Sequence, residues 1–237
     1  ALAVAAYPAE VVSLIASDVP DNDIGLIASG PTVLDASTID DAKTILARYD
    51  ISIPAHIELI ETQKDETYFK RVANVLFLSN QDALVAMRDE AVRLGYAAAV
   101  ADNHFTGEAR DVGRAIVEKL HAVSAKTALL YAGESTVTLS AHSGLGGRNQ
   151  EMALAALEYL NPDELIMPFA SDGRDNTDHA GAIADDTTRA HAREKNLSAE
   201  ECLHAHRSYD FFQSSGDALQ TGYTGSNVSD LIVALKK

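Results

Sequence analysis

Gly144-Leu145-Gly146-Gly147-Arg148-Asn149-Gln150-Glu151 runs directly into Met152-Ala153-Leu154-Ala155-Ala156-Leu157, and this junction decides how the chain is read. Three glycines in four positions predict a loop that side chains do not crowd. Ala153, Leu157 and Leu160 then fall on one helical face, with Met152 and Ala156 beside it. A glycine loop therefore opens a helix, and Arg148 stands at the helix start. Free backbone N–H groups, the positive end of the helix dipole and a guanidinium converge there. That is how a chain builds an anion site, most often for phosphate. The competing reading is a flexible turn with a solvated arginine, and the loop alone does not separate the two.

Two common phosphate motifs are excluded. A dinucleotide fingerprint needs a third glycine where Asn149 stands, and no G-x-x-x-x-G-K-[ST] string occurs anywhere in the chain.

Outward from the junction, short apolar runs alternate with helical patterns. Val11–Ala16 reads as a buried strand, followed by the acidic loop Asp18-Val19-Pro20-Asp21-Asn22-Asp23. Thr38 and Asp41 approach a capping box for a helix, and Pro54 suits the first turn of another over residues 55–63. The polar stretch 62–70 suggests a boundary between residues 1–71 and 72–237. Beyond it come a strand at 75–78, a helix at 81–94 that Gly95 stops, a strand at 96–100, a helix at 106–120 and a strand at 127–131. This alternation predicts an α/β fold with mainly parallel or mixed sheets and flanking helices. Residues 135–139 and 165–170 read as further strands. Ser198 and Glu201 cap a helix, 209–213 forms a helical turn, and 228–235 is the last strand.

The chain has 237 residues, 46% hydrophobic and 23% charged, an ordinary globular composition. Its formal net charge of −16, from 35 acidic and 19 basic residues, excludes an extended nucleic-acid surface. A small anion needs only two or three local cations, and the carboxylates suit a divalent metal. Cys202 is the only cysteine, so no intrachain disulfide forms and a reducing cytoplasm is expected. No apolar run approaches the ~20 residues of a membrane helix. Ala1–Ala6 lacks the basic flank of a signal peptide, and the chain is expected to be cut from something longer.

Two other loops carry chemistry. Asp172, Asp175 and Asp178 are spaced three apart in a stretch that Gly173 and Asn176 make a loop. Such carboxylates can hold Mg²⁺ together with substrate phosphates, or take a proton from a substrate hydroxyl. A solvated turn whose Asx side chains bond their own backbone is the plainer alternative. Gly222-Tyr223-Thr224-Gly225-Ser226-Asn227 is the third polar glycine loop. Three such loops suggest one crevice, shared by Arg148, Asp172 and Asn227. Zinc at Cys202, His204 and His206 is disfavoured by spacing, and Gly133-Glu134-Ser135-Thr136 is no nucleophile elbow. Arg148 has one structural alternative, a tie to a carboxylate such as Glu134.

Ser29-Gly30-Pro31-Thr32, Gly133-Glu134-Ser135-Thr136-Val137-Thr138, Gly146-Gly147-Arg148-Asn149-Gln150-Glu151, Ser171-Asp172-Gly173, Asp178 with Ala180-Gly181-Ala182, and Thr224-Gly225-Ser226-Asn227-Val228 with Asp230-Leu231 together resemble the MOFRL-type glycerate 2-kinases, also called hydroxypyruvate reductases. The resemblance runs along the whole chain. It implies that residues 1–71 are the C-terminal part of a Rossmann-like first domain. Residues 72–237 would be a second α/β domain containing the MOFRL region at about 127–237. It further implies ATP-dependent phosphorylation of D-glycerate, with Arg148 and Asp172 catalytic. Gly144, Gly146, Gly147, Asn149, Thr224, Gly225 and Asn227 would hold the nucleotide, and Asp172 and Asp175 would hold Mg²⁺. A homodimer stays open. A lysine and a glycine-rich serine loop of the family's site lie earlier in its members than this chain reaches. Asn176 departs from a common glycine, and His206-Arg207 from a common Asn-Asp. The alternatives are an NAD(P)H-dependent hydroxypyruvate reductase and an inactive ligand-binding fragment.

Overall fold

The computed structural model describes residues 1–19 and 22–237, so Pro20 and Asp21 of the acidic loop lie outside the described residues. The chain divides into two compact units, residues 1–77 and 78–237.

In the first unit, helix α1 (Leu2–Ala6) leads into strand β1 (Val11–Ala16), and helix α2 (Ile39–Arg48) follows a loop. Thr38 and Asp41 form the expected capping box. Strand β2 (Val72–Leu78) pairs with β1 in a two-stranded sheet. This corrects two readings. The strand expected to open the second domain belongs almost wholly to the first unit, so the division falls at 77/78 and not at 71/72. An apolar run does not name its partner; here Val11 N donates to Arg71 O at 2.9 Å and Arg71 Nη1 to Pro8 O at 2.8 Å. Nor is β1 buried on both faces, since Val12 and Leu14 are each 68% exposed. The helix expected at 55–63 does not form. So short a helix is marginal alone, and its polar end is engaged elsewhere: the Glu61 carboxylate accepts from Ile39 N at the start of α2, and Thr62 Oγ1 donates to Asp35.

The second unit is a six-stranded mixed sheet in the order β3-β4-β8-β5-β6-β7. After helix α3 (Asn80–Arg93), strand β3 (Ala97–Phe105), helix α4 (Ala109–His121) and strand β4 (Thr127–Gly133) form a parallel βαβ unit. The junction helix is α5 (Arg148–Ala156), followed by strands β5 (Glu164–Ala170) and β6 (Gly181–Ala182). Helices α6 (Asp186–Glu194), α7 (Ala199–His204) and α8 (Ser208–Ser215) precede β7 (Ala218–Leu219) and β8 (Asp230–Lys236). The last strand inserts between β4 and β5, antiparallel to both, so the sheet is mixed. Residues 135–139 form only an isolated bridge, with Thr136 N donating to Gly107 O and Ala109 N to Thr136 O. Among the described residues no helix is long and apolar enough to cross a membrane.

Helix α5 is the centre of this unit. Every residue from Asn149 to Ala156 is buried, so the helix is enclosed well beyond its apolar stripe. Met152, Ala153 and Ala156 pack with Val117 and Leu120 of α4, Tyr131 of β4, Ile232 of β8 and Phe211 and Phe212 of α8. Burial of these side chains stabilises the unit at ~25 cal/mol per Å² of apolar area.

Candidate active site

Pairing register gathers four strand ends into one row. Phe105 stands beside Gly133, Gly133 beside Asp230, and Asp230 beside Ala170. The loops that leave this edge are the ones the sequence marks as chemical: 133–147, 171–180 and 220–229. Helix α5 starts against them.

Arg148, first residue of α5, is held by two carboxylates. Its Nε donates to Asp230 Oδ2 at 2.5 Å and its Nη2 to Asp230 Oδ1 at 3.2 Å, a two-point fork, while Nη1 donates to Glu134. Asp230 is 1% exposed and the Arg148 side chain about one-third exposed. Burial dominates the carboxyl: it pushes Asp230 up to about 6, with the Asp175 charge adding to the shift, against the Arg148 and Asn149 hydrogen bonds. On Arg148 burial works against the charge, but Asp230 and Glu134 together hold the guanidinium above its ordinary pKa. The guanidinium therefore stays charged throughout, and the proton of this pair belongs to Asp230.

The anion at the start of α5 is not left for a ligand to supply. Asp175 Oδ1 accepts from Asn149 N at 3.1 Å, and Oδ2 from Gln150 N at 2.8 Å; the Asn149 and Gln150 side-chain amides bond the same two oxygens. Burial raises the Asp175 pKa, and these four hydrogen bonds oppose the shift. The carboxylate satisfies two of the orphan N–H groups, those of Asn149 and Gln150, and complements the helix dipole. Asp175 thus takes two of the helix-start amides that the sequence reading offered to a ligand. The glycines let protein approach closely on their Cβ side: a Cβ on Gly147 would meet Asp175 O at 2.0 Å, one on Gly146 the Ser208 hydroxyl at 2.1 Å, and one on Gly144 the Arg207 side chain at 2.2 Å. Asn149 is wholly buried beneath the loop. Asp175, with both oxygens so engaged, has no lone-pair direction clear of protein donors for Mg²⁺.

A groove of about 540 Å³ runs beside this lock. Ser135, Thr136, Gly144, Gly146, Gly147, Arg148, Arg174 and Asp175 line it, with Glu151 and His206 at one wall. Glu151 is buried and accepts from Arg110 at 2.5 and 2.8 Å and faces His206 Nδ1 at 3.0 Å. The remaining expected site residues lie next to the groove and not on it. Asp172 Oδ1 accepts from Arg174 N at 2.8 Å, and its carbonyl accepts from Thr224 N at 3.0 Å. Thr224 Oγ1 donates to Ser171 O, Gly225 is an exposed left-handed turn, and Asn227 Oδ1 accepts from Ser229 N. Arg148 and Asp175 are thus brought together, whereas Asp172, Thr224, Gly225 and Asn227 form a second packed pair of loops. The two sets are joined through Gly173–Asp175 and through residues 228–230. Asp172, Asp175 and Asp178 do not share a face. Among the described residues no three His, Cys, Asp or Glu side chains are grouped to hold a metal, Cys202 and its histidines included.

The model of the MOFRL family matches residues 127–230, and a domain of unknown function (DUF4147) matches residues 1–60. A glycerate 2-kinase of Pyrococcus horikoshii is 39% identical over 94% of this chain and 55% of its own length. A glycerate kinase of Macaca fascicularis is 32% identical, over 97% of this chain and 73% of that protein. The chain belongs to the glycerate kinase family. The crystal structure of a Thermotoga maritima glycerate kinase superposes with a TM-score of 0.88 at 33% identity, covering 99% of this chain and 59% of that one. The chain thus spans little more than half the length of several glycerate kinase relatives.

Within this glycerate kinase fold, sequence reasoning missed Asp230, the partner of Arg148, although it stands in the quoted stretch beside Leu231. Its signal was a carboxylate at the very start of an apolar strand, a place where burial is expected. Asp230 also gives a pH test. Its folded pKa of about 6 lies above the ordinary 3.8, so the protonated form is favoured on folding. That contribution is complete below 3.8 and is lost as pH rises through 6. Urea melts across this range are expected to show wild type losing on the order of 2–3 kcal/mol relative to Asp230→Asn. Parallel pH profiles for the two proteins would place the titration elsewhere.

Proposed function

We propose that the full-length protein transfers the γ-phosphoryl group of ATP to the 2-hydroxyl of D-glycerate. Family membership carries this reading, together with a partly exposed guanidinium on the wall of a groove at the C-terminal edge of a sheet. Phosphoryl transfer asks a protein mainly for positioning and charge neutralisation. Arg148 supplies a fixed charge: Asp230 and Glu134 aim its fork, and one N–H on each of Nη1 and Nη2 lies outside those bonds. The lock between Asp175 and the start of α5 keeps that arginine from swinging.

Of the two proposed metal ligands, Asp172 fits and Asp175 does not. Asp172 is half-buried, and one carboxylate oxygen is turned to its own loop. Mg²⁺ bound with phosphates needs only one or two protein carboxylates. When present it would offset the phosphate charge, and Asp172 would hold it. We further place the enzyme in the cytoplasm.

The assay is ADP release that depends on D-glycerate, ATP and Mg²⁺ together. A hydroxypyruvate reductase would instead oxidise NADH on adding hydroxypyruvate. The glycine loop lacks the dinucleotide fingerprint, and Asp175 occupies the amides that a pyrophosphate would use. NADH oxidation without glycerate-dependent ADP release would end the kinase reading.

A further inference from the structure

Two anion receptors legible in the sequence are already compensated from within the protein. The N-terminal amides of α5 face Asp175, and the Arg148 guanidinium faces both Asp230 and Glu134. An anionic ligand entering the groove therefore meets a reduced positive charge at both places. Arg174 differs. It lines the same groove, is exposed, and has no carboxylate within ion-pair distance among the described residues. Its loop is held firmly: Arg174 N donates to Asp172 Oδ1 at 2.8 Å, and Thr224 N bonds the carbonyl of Asp172. Gly173, at φ +88°, lets the backbone pass where a Cβ would meet Gly222 O at 1.9 Å. A second observation points to a ligand. Ser135 is among the residues that line the groove, is 1% exposed, and its buried Oγ has no hydrogen-bond partner among the described residues. An unsatisfied buried hydroxyl is destabilising, and a bound acceptor recovers that loss.

We propose that Arg174 is the specificity residue of this groove. It pairs the oxyanion end of the bound molecule, carboxylate or phosphoryl, while Ser135 Oγ donates to the same molecule. Planar guanidinium matches either group in two-point fashion, and lysine does not. The proposal rests on the kinase reading for its two probes. Calorimetry on the full-length protein measures binding of D-glycerate and, separately, of ADP with Mg²⁺. Arg174→Gln is expected to weaken one probe about tenfold or more and leave the other within about twofold. Arg174→Lys loses less, and Ser135→Ala weakens the same probe. A loss confined to D-glycerate assigns the carboxylate, and one confined to ADP the phosphoryl group. Unchanged binding of both probes by Arg174→Gln overturns the proposal, as does wild type that binds neither. Equal weakening of both overturns it too, because that marks a distorted groove. Ser135→Ala with full affinity removes the hydroxyl from the subsite. If selective weakening occurs but the wild type transfers no phosphoryl group, the kinase reading fails and the subsite stands.

Discussion

Arg148→Ala in the full-length protein is expected to lower kcat by roughly 10³-fold or more, the scale of arginines that neutralise a transferring phosphoryl group. Its effect on stability should be smaller and should depend on pH. The substitution leaves Asp230 buried without its fork. That carboxyl already sits up at about 6 because of burial, and losing the guanidinium raises it further. Near neutral pH the variant must bury either a charge or an acquired proton, and both are costly. Below 3.8 Asp230 is protonated folded and unfolded alike, so this part of the stability difference vanishes. Arg148→Lys returns a charge but not the two-point geometry, so it should recover only part of the rate. Melting and ATP turnover on the same two variants decide the matter. Activity that falls only as far as the folded fraction falls would make Arg148 a structural tie between α5, β8 and the 134 loop.

The elements were legible where local chemistry specifies them. The capping box at Thr38, the helix opening at Arg148, the βαβ unit across 97–133 and the strand at the C-terminus all stand near their expected places. Pairing was not legible. The 72–78 run joins β1 and the final strand inserts between β4 and β5, because neither choice is written in the strands themselves. The glycine loop shows a subtler limit. The sequence correctly marks a loop that opens a helix and wants an anion. It cannot say that the anion is the protein's own, because Asp175 lies 26 positions from Asn149. The three-residue spacing of Asp172, Asp175 and Asp178 suggested equivalent carboxylates; burial separates them, with Asp175 3% exposed and Asp178 on the surface. Arg174 escaped notice because an arginine in a polar loop carries no sign of its partners. Arg110, Arg148 and Arg207 each pair with a carboxylate, and among the described residues Arg174 does not.

Asp175→Ala is expected to cost about 3–5 kcal/mol, because it breaks a fully satisfied buried charge at the start of the central helix. The one carboxylate accepts from two backbone amides and two side-chain amides of Asn149 and Gln150, both of which are buried. Loss of a helix N-terminal acceptor alone costs ~0.5–2 kcal/mol, and each further buried donor left unmade adds ~1–3 kcal/mol. Relief from burying a carboxylate whose pKa is raised offsets part of this, which keeps the total from reaching the full sum. Asp175→Asn keeps the shape and one acceptor but turns an NH₂ toward N–H donors, so it should fall between wild type and alanine. Gly147→Ala attacks the same lock from the other side, since its Cβ would lie 2.2 Å from Asp175 Cγ; it should destabilise by several kcal/mol as well. Denaturant melts of the three variants test the ordering. The alanine variant also vacates the anion position that the sequence first advertised, so inorganic phosphate should raise its melting temperature and leave wild type unmoved. An Asp175→Ala protein within about 0.5 kcal/mol of wild type would mean that groove water satisfies the amides, and that the loop is open to a ligand's phosphate after all.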